Sequence, residues 1–453
     1  MTTNPRLQSR RQFLGTTVVG TTAACANFAS SSIRAAPSTQ EAVKLFGADH
    51  SNPVIAKARQ LALSVLKPSK RDLEHGLELH ANSLVFDSYG FSPRCAIDGE
   101  RMKRAIAANA SAIELQDLRE DMGMTRCVTD AAERAEFKQA WEAAGVTCIF
   151  QNAGEEGQDP MRLIKRLANF TYVTDMLSDF IVKAATPAEI EAAHKAGKRA
   201  LYLTGNGVPL TQDWVSVPDE MRYIRVFYKL GIRMMHMTYN RRNMIGDGCA
   251  EPANAGLSDF GRSVVKELNH VGVIADIAHS GWQTSLETAQ QSEEPMVASH
   301  SACADINKHI RAKPDNVIKA IADTGGYVGM CCIPAFLGGD GDIRMLLNHI
   351  EHVARKFGPD HVAIGTDVAY SSRNSGAENQ KAGRAPRTRT QWRSLWPPGS
   401  LTPKPQASQT MAWTNWPLFT VGLVQRSFKD DEIQKIIGGN VMRVSKAVLK
   451  EGF

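Results

Sequence analysis

From Ser83 onward the chain alternates short apolar runs with amphipathic stretches, and few folds accept that rhythm. The apolar runs are Leu84–Asp87, Thr125–Val128, Val146–Phe150, Arg199–Thr204 and Ile232–Thr238, then Val273–His279, Met296–His300, Tyr327–Cys332 and Val362–Asp367. Between them, Pro187–Ala196, Pro218–Lys229, Ser258–Asn269 and Pro314–Thr324 place apolar residues at helical spacing. Strand and helix in regular alternation predict a parallel sheet covered by helices. About eight such units in one domain of roughly 370 residues favour a closed (β/α)8 barrel over an open sheet. Gly205-Asn206-Gly207 is too short for a phosphate-binding loop, and no Gly-x-Gly-x-x-Gly opens a helix.

The barrel is expected to occupy residues 83–453, behind a polar helical cap over 37–82. Residues 371–410 break the rhythm after the last strand. They are rich in Pro, Ser and basic side chains, and form either a lid over the barrel mouth or a disordered insertion. Trp392 and Trp396 favour the lid, because disordered segments rarely carry tryptophan.

Residues 1–36 read as a targeting segment. Ser9-Arg10-Arg11-Gln12-Phe13-Leu14 followed by a mild Thr/Gly/Ala-rich stretch is a twin-arginine export signal, with cleavage after Ala26 or Ala36. It predicts recognition by the twin-arginine translocation machinery and a periplasmic or extracellular destination. The apolar stretch is too short for a stable membrane span, and Cys25 sits in a poor lipobox. Removing the leader arginines Arg6, Arg10, Arg11 and Arg34 from the formal +6 leaves +2, so charge gives no argument for nucleic acid. The eight cysteines show no Cys-x-x-Cys spacing, which argues against a zinc ribbon or a disulfide framework.

Catalytic groups of such a barrel sit at the carboxyl ends of its strands. Two runs climb through apolar residues to a histidine: Gly272-Val-Ile-Ala-Asp-Ile-Ala-His279 and Pro295-Met-Val-Ala-Ser-His300, each followed by serine. A histidine there is either a hydrogen-bonded strand end or a metal ligand, and the repeated pattern raises the second reading. Arg311 lies just before a proline-started helix and suits a substrate carboxylate. Asp367 closes an apolar strand, as a general base, a ligand or a helix cap.

Taken together, these stretches resemble the renal (membrane) dipeptidase family, barrel metallopeptidases of amidohydrolase type. The likeness runs from about Leu79 to Val448. It is carried by Tyr228-Lys-Leu-Gly-Ile-Arg233-Met-Met-His-Met-Thr238, Leu257-Ser-Asp-Phe-Gly261, Asp276-Ile-Ala-His279, Ala298-Ser-His-Ser301, Gly365-Thr-Asp367 and Ile437-Gly-Gly-Asn440-Val-Met-Arg443. The resemblance implies two zinc ions held by a His-x-Asp pair, a bridging Glu and two later histidines. It makes His279 and His300 those later histidines, Arg311 the grip on the substrate carboxylate and Asp367 the proton-transfer aspartate.

At the other positions the chain departs from the family. Tyr89-Gly-Phe91 stands where His-x-Asp is expected, Asn206 where the bridging Glu is expected, and Tyr239 where a histidine stabilises the tetrahedral intermediate. Two close divalent ions would lack a carboxylate to offset their repulsion, so a dinuclear zinc centre is not expected. One divalent ion, zinc before others, could rest on His279 and His300 with Asp367.

The sequence therefore predicts an exported metallohydrolase cleaving a dipeptide or similar small amide with a carboxylate. Asp367 would move the proton and Tyr239 would donate to the oxyanion. Two alternatives stay open: a catalytically inactive binding or scaffold homologue, and a tailoring enzyme of an exported peptide natural product. A homodimer is compatible with each.

Overall fold

The computed structural model describes residues 37–154, 159–383, 392 and 394–450. The leader, with its proposed export signal, cleavage sites and Cys25, lies outside the described residues.

Ten parallel strands form the sheet: β1 Phe86–Gly90, β2 Cys148–Asn152, β3 Ile181–Ala184, β4 Arg199–Gly205, β5 Ile232–His236, β6 Ile274–Asp276, β7 Val297–Cys303, β8 Ala312–Lys313, β9 Tyr327–Met330 and β10 Val362–Ile364. Eight of them run in the order β1-β2-β4-β5-β6-β7-β9-β10, with β3 added beside β4 and β8 beside β7. The result is the expected α/β barrel, nearly closed, with helices outside.

Buried Asp87 joins the two ends of the sheet. Its Oδ1 accepts from Thr366 N (2.9 Å) and its Oδ2 from Thr366 Oγ1 (2.6 Å), while Asp367 N donates to Tyr89 O (3.0 Å). Inside the barrel, Gly329 and Gly365 flank the Ser299 carbonyl, which a Cβ on either would meet at 1.9 or 2.0 Å. No other residue permits that approach.

The helix expectations hold over Pro187–Lys195, Val217–Lys229, Asp259–Val271 and Asp315–Asp323. Thr125–Val128 is a correction: it is the last turn of the helix Ala112–Thr129, opened by a Ser111–Glu114 capping box. Three further helices, Thr39–Phe46, Pro53–Leu66 and Lys70–Ala81, precede the barrel. His80 ties the third of them to Thr420 Oγ1 (2.9 Å) and Ala144 O (2.9 Å). After β10, residues 375–382 and 405–410 are helical.

Candidate active site

His300 lies within β7, which continues to Cys303, and His279 follows β6 by three residues. Their Nε2 atoms face each other at 3.0 Å. Each second nitrogen is held from behind: His279 Nδ1 lies 2.7 Å from Asn240 Oδ1, and His300 Nδ1 lies 2.8 Å from Ser299 Oγ. One consistent assignment runs Ser299 hydroxyl to His300 Nδ1, His300 Nε2–H to His279 Nε2, and His279 Nδ1–H to Asn240. Burial, reinforced by the Arg311 charge, pushes both imidazoles well below their ordinary pKa, so neither ring carries a second proton.

Two tyrosines press on this pair. Tyr89 stacks on His300 with ring centroids 3.8 Å apart, and Tyr239 on His279 at 4.1 Å. The Tyr89 hydroxyl donates to Asn206 Oδ1. Burial, with the charge of Asp367, pushes the Tyr89 phenol well above its usual value, so it stays protonated. Tyr239 OH accepts from Trp392 Nε1 at 3.3 Å, which leaves its own proton free to donate.

Asp367 sits three residues beyond β10 in the left-handed region, φ 54°. For a non-glycine residue that conformation costs roughly 1–2 kcal/mol. Its carboxyl is pushed up to about 6 by burial, against the lowering pull of Arg311, His236 and Arg94. Asp367, Tyr239, His279, Tyr89, Phe91 and Asn206 line one cavity of about 620 Å3.

Arg311 is fully buried and does not line that cavity. Its Nε donates to Ala278 O (3.2 Å) and its Nη2 to His300 O (2.8 Å), so one guanidinium fixes the backbone beside both histidines. Nη1 has no partner among the described residues, and the Phe336 ring covers the group with its centroid 5.1 Å from Cζ. The serines after the two histidines serve the same neighbourhood: Ser301 Oγ donates to Arg311 O (2.5 Å), and Ser280 O accepts from buried Lys313 Nζ (2.6 Å).

A third histidine stands beside the pair. His236, at the end of β5, lies close enough to His279 and His300 to share an ion. Its chemistry argues otherwise. Nδ1 lies 2.8 Å from Gly205 O and Nε2 2.9 Å from Asp276 Oδ2. Both nitrogens face oxygen atoms, which compete with a metal for them. Neither His236 nor Asp276 is among the site residues expected from sequence. The available signal was a histidine closing the run Ile232-Arg-Met-Met-His236.

The donor set does not fit two metal ions. Tyr89 is a protonated phenol bonded to Asn206, Phe91 offers no donor, and Asn206 carries no charge. It does fit one. Two nitrogens held about 2.0–2.1 Å from one zinc ion stand roughly 3.3 Å apart, close to the separation of His279 and His300.

The sequence model of the membrane dipeptidase family (peptidase family M19) matches residues 104–382. The chain belongs to the membrane dipeptidase family. It is 26% identical to the dipeptidase verJ of Clonostachys rogersoniana over 275 residues, 60% of this chain and 61% of that protein. The chain spans about three-fifths of the length of the curated relatives it matches. In fold it is similar to an amidohydrolase from Pseudomonas aeruginosa (24% identity, TM-score 0.60, covering 82% of this chain and 98% of that one). It is also similar to a metallopeptidase from Rhodobacter sphaeroides liganded with a phosphinate mimic of the dipeptide L-Ala-D-Ala (15% identity, TM-score 0.56, covering 81% and 99%).

Proposed function

We infer that this member of the family is a hydrolase of peptide-type amides that works with at most one divalent metal ion. The observation that carries the reading is the pair of facing imidazole nitrogens, His279 and His300, the first of which lines a cavity together with Asp367 and Tyr239. A zinc ion there would polarise the scissile carbonyl and lower the pKa of a bound water. Asp367, ionised above about pH 6, accepts the proton of the attacking water and returns it to the leaving amine. Tyr239 donates its free proton to the developing oxyanion. The unpartnered Nη1 of Arg311 is the donor a substrate carboxylate would use, provided the Phe336 ring gives way.

The Ser9–Leu14 sequence supports export by the twin-arginine route. No helix among the described residues is long and apolar enough to cross a membrane.

A second reading, a metal-free binding homologue, is favoured by the Tyr89–Asn206 hydrogen bond, which occupies two positions where the family keeps ligands. Metal analysis of protein purified without added metal, joined to an amide-hydrolysis assay, separates the two. One equivalent that disappears in His279→Ala and His300→Ala, together with turnover, supports the hydrolase. No bound metal, no uptake on titration and no turnover leaves the binding reading.

A further inference from the structure

The cavity beside the histidines is larger than a dipeptide requires. At about 30 Å3 per water-sized group, 620 Å3 holds roughly twenty such groups, about twice the non-hydrogen atoms of dialanine. The excess lies away from the histidines. The space runs past Phe91 and Arg94, in the loop after β1, to Gln116, Arg119 and Gly123 on the helix Ala112–Thr129. Asn379, on the helix Ser375–Ala382, closes the far side and accepts from Arg119 Nη1 at 2.8 Å.

The two ends differ in chemistry. Near His279 the wall is aromatic: Trp396 stacks along Phe336 with centroids 6.0 Å apart, stands 6.3 Å from Tyr239 and 6.4 Å from His279, and meets Trp392 at 5.9 Å. Such a wall accepts a flat unsaturated group. The far end presents the Gln116 and Asn379 amides and the Arg119 guanidinium, which suit an acceptor-bearing chain, beside a Glu120 carboxylate already paired with Arg162 and Arg166. At Gly123 the boundary is open, since a Cβ built there meets nothing within 4 Å.

We propose that the site takes an extended peptide or acylpeptide, longer than a dipeptide. An aromatic group would lie against Trp396 and Phe336, and a carboxylate- or amide-bearing end would reach Arg119. This rests on the hydrolase reading for the position of the scissile bond, but not for the binding of the ligand.

The test compares dialanine with an N-benzoyl tetrapeptide ending in glutamate, measuring affinity by calorimetry and cleavage by mass spectrometry on the metal-loaded protein. The long probe is expected to bind at least tenfold more tightly. Gly123→Phe, which fills the far chamber, should bring the ratio of the two affinities close to one. Trp396→Ala should remove the preference for the benzoyl over an acetyl cap. Should Gly123→Phe unfold, Gly123→Leu, which suits a helix, reads the same ratio. Dialanine binding as tightly as the long probe overturns the proposal, and so does a ratio that survives in folded Gly123→Phe. Tight binding of the long probe without cleavage overturns the hydrolase reading alone. Cleavage of dialanine with no advantage for the long probe overturns this proposal alone.

Discussion

Tyr89 lies flat against His300, ring planes 12° apart and centroids 3.8 Å apart. Tyr89, which by the family resemblance stands where a metal ligand is expected, supports one of the two imidazoles. The substitutions at 89, 91 and 206 act together: the Tyr89 hydroxyl is satisfied by Asn206, and its ring packs edge-on against Phe91 at 6.0 Å. Putting back the full set, Tyr89→His with Phe91→Asp and Asn206→Glu, should raise bound zinc from at most one equivalent to two. Elemental analysis of the triple variant checks this. A stoichiometry unchanged from the parent would show that more than these three side chains forbids the second ion.

Tyr239→Phe keeps the ring on His279 and removes only the hydroxyl. Loss of an oxyanion donor lowers kcat by about a hundredfold or more, with little change in KM. Steady-state kinetics on any cleaved amide decide it. An unchanged kcat removes Tyr239 from the chemistry.

Arg311 serves two carbonyls from a fully buried position. Arg311→Met leaves both without a donor, at about 1–3 kcal/mol each. The melting temperature should fall, and Arg311→Lys should recover only part of the loss, because an ammonium lacks the planar fork. Calorimetry of the two variants tests whether the arginine holds the histidine strands in place. Equal melting temperatures for parent and Arg311→Met would refute it.

Lys313 is buried against Ser280 O, and burial pulls its amine down to about 7 from 10.5. Between those values the unfolded chain holds a proton that the folded protein does not. Stability therefore rises with pH across that window, by at most about 1.4 kcal/mol per unit from this group. Below pH 7 both states are protonated, so the penalty of the buried charge is at its fullest and flat. Lys313→Met should remove this contribution, giving its largest stability gain at and below pH 7 and a shrinking one toward pH 10. Urea titrations at pH 7 and 9 give the comparison, and a gain that stays constant with pH would contradict it.

The barrel was legible because most of its strands are buried on both faces and so read as largely apolar runs. Thr125–Val128 imitates such a run. Cys127 and Val128 are buried beneath a helix whose start, at Ser111, lies well upstream. Ile181–Ala184 escaped notice because it pairs only with β4, off the main path of the sheet, and its two middle residues are not buried. Within the site, His279 and His300 were visible at the ends of their runs. His236 was not, because only its neighbours show what its nitrogens face: a backbone carbonyl and the carboxylate of Asp276, forty residues away. Arg311 was placed at the mouth from sequence. The structure puts it behind the histidines, a position set by the two carbonyls it serves.

The bond from Thr366 to Asp87 spans 279 residues and joins the last barrel strand to the first. His80, just before β1, waits on Thr420 over a still longer interval. Until the chain reaches these points, β1 has only one neighbouring strand and the third early helix lacks its bond to Thr420. Such long-range closure is slow relative to local pairing. The strand that opens the barrel is therefore among the last to gain its second neighbour, however early it collapses against β2.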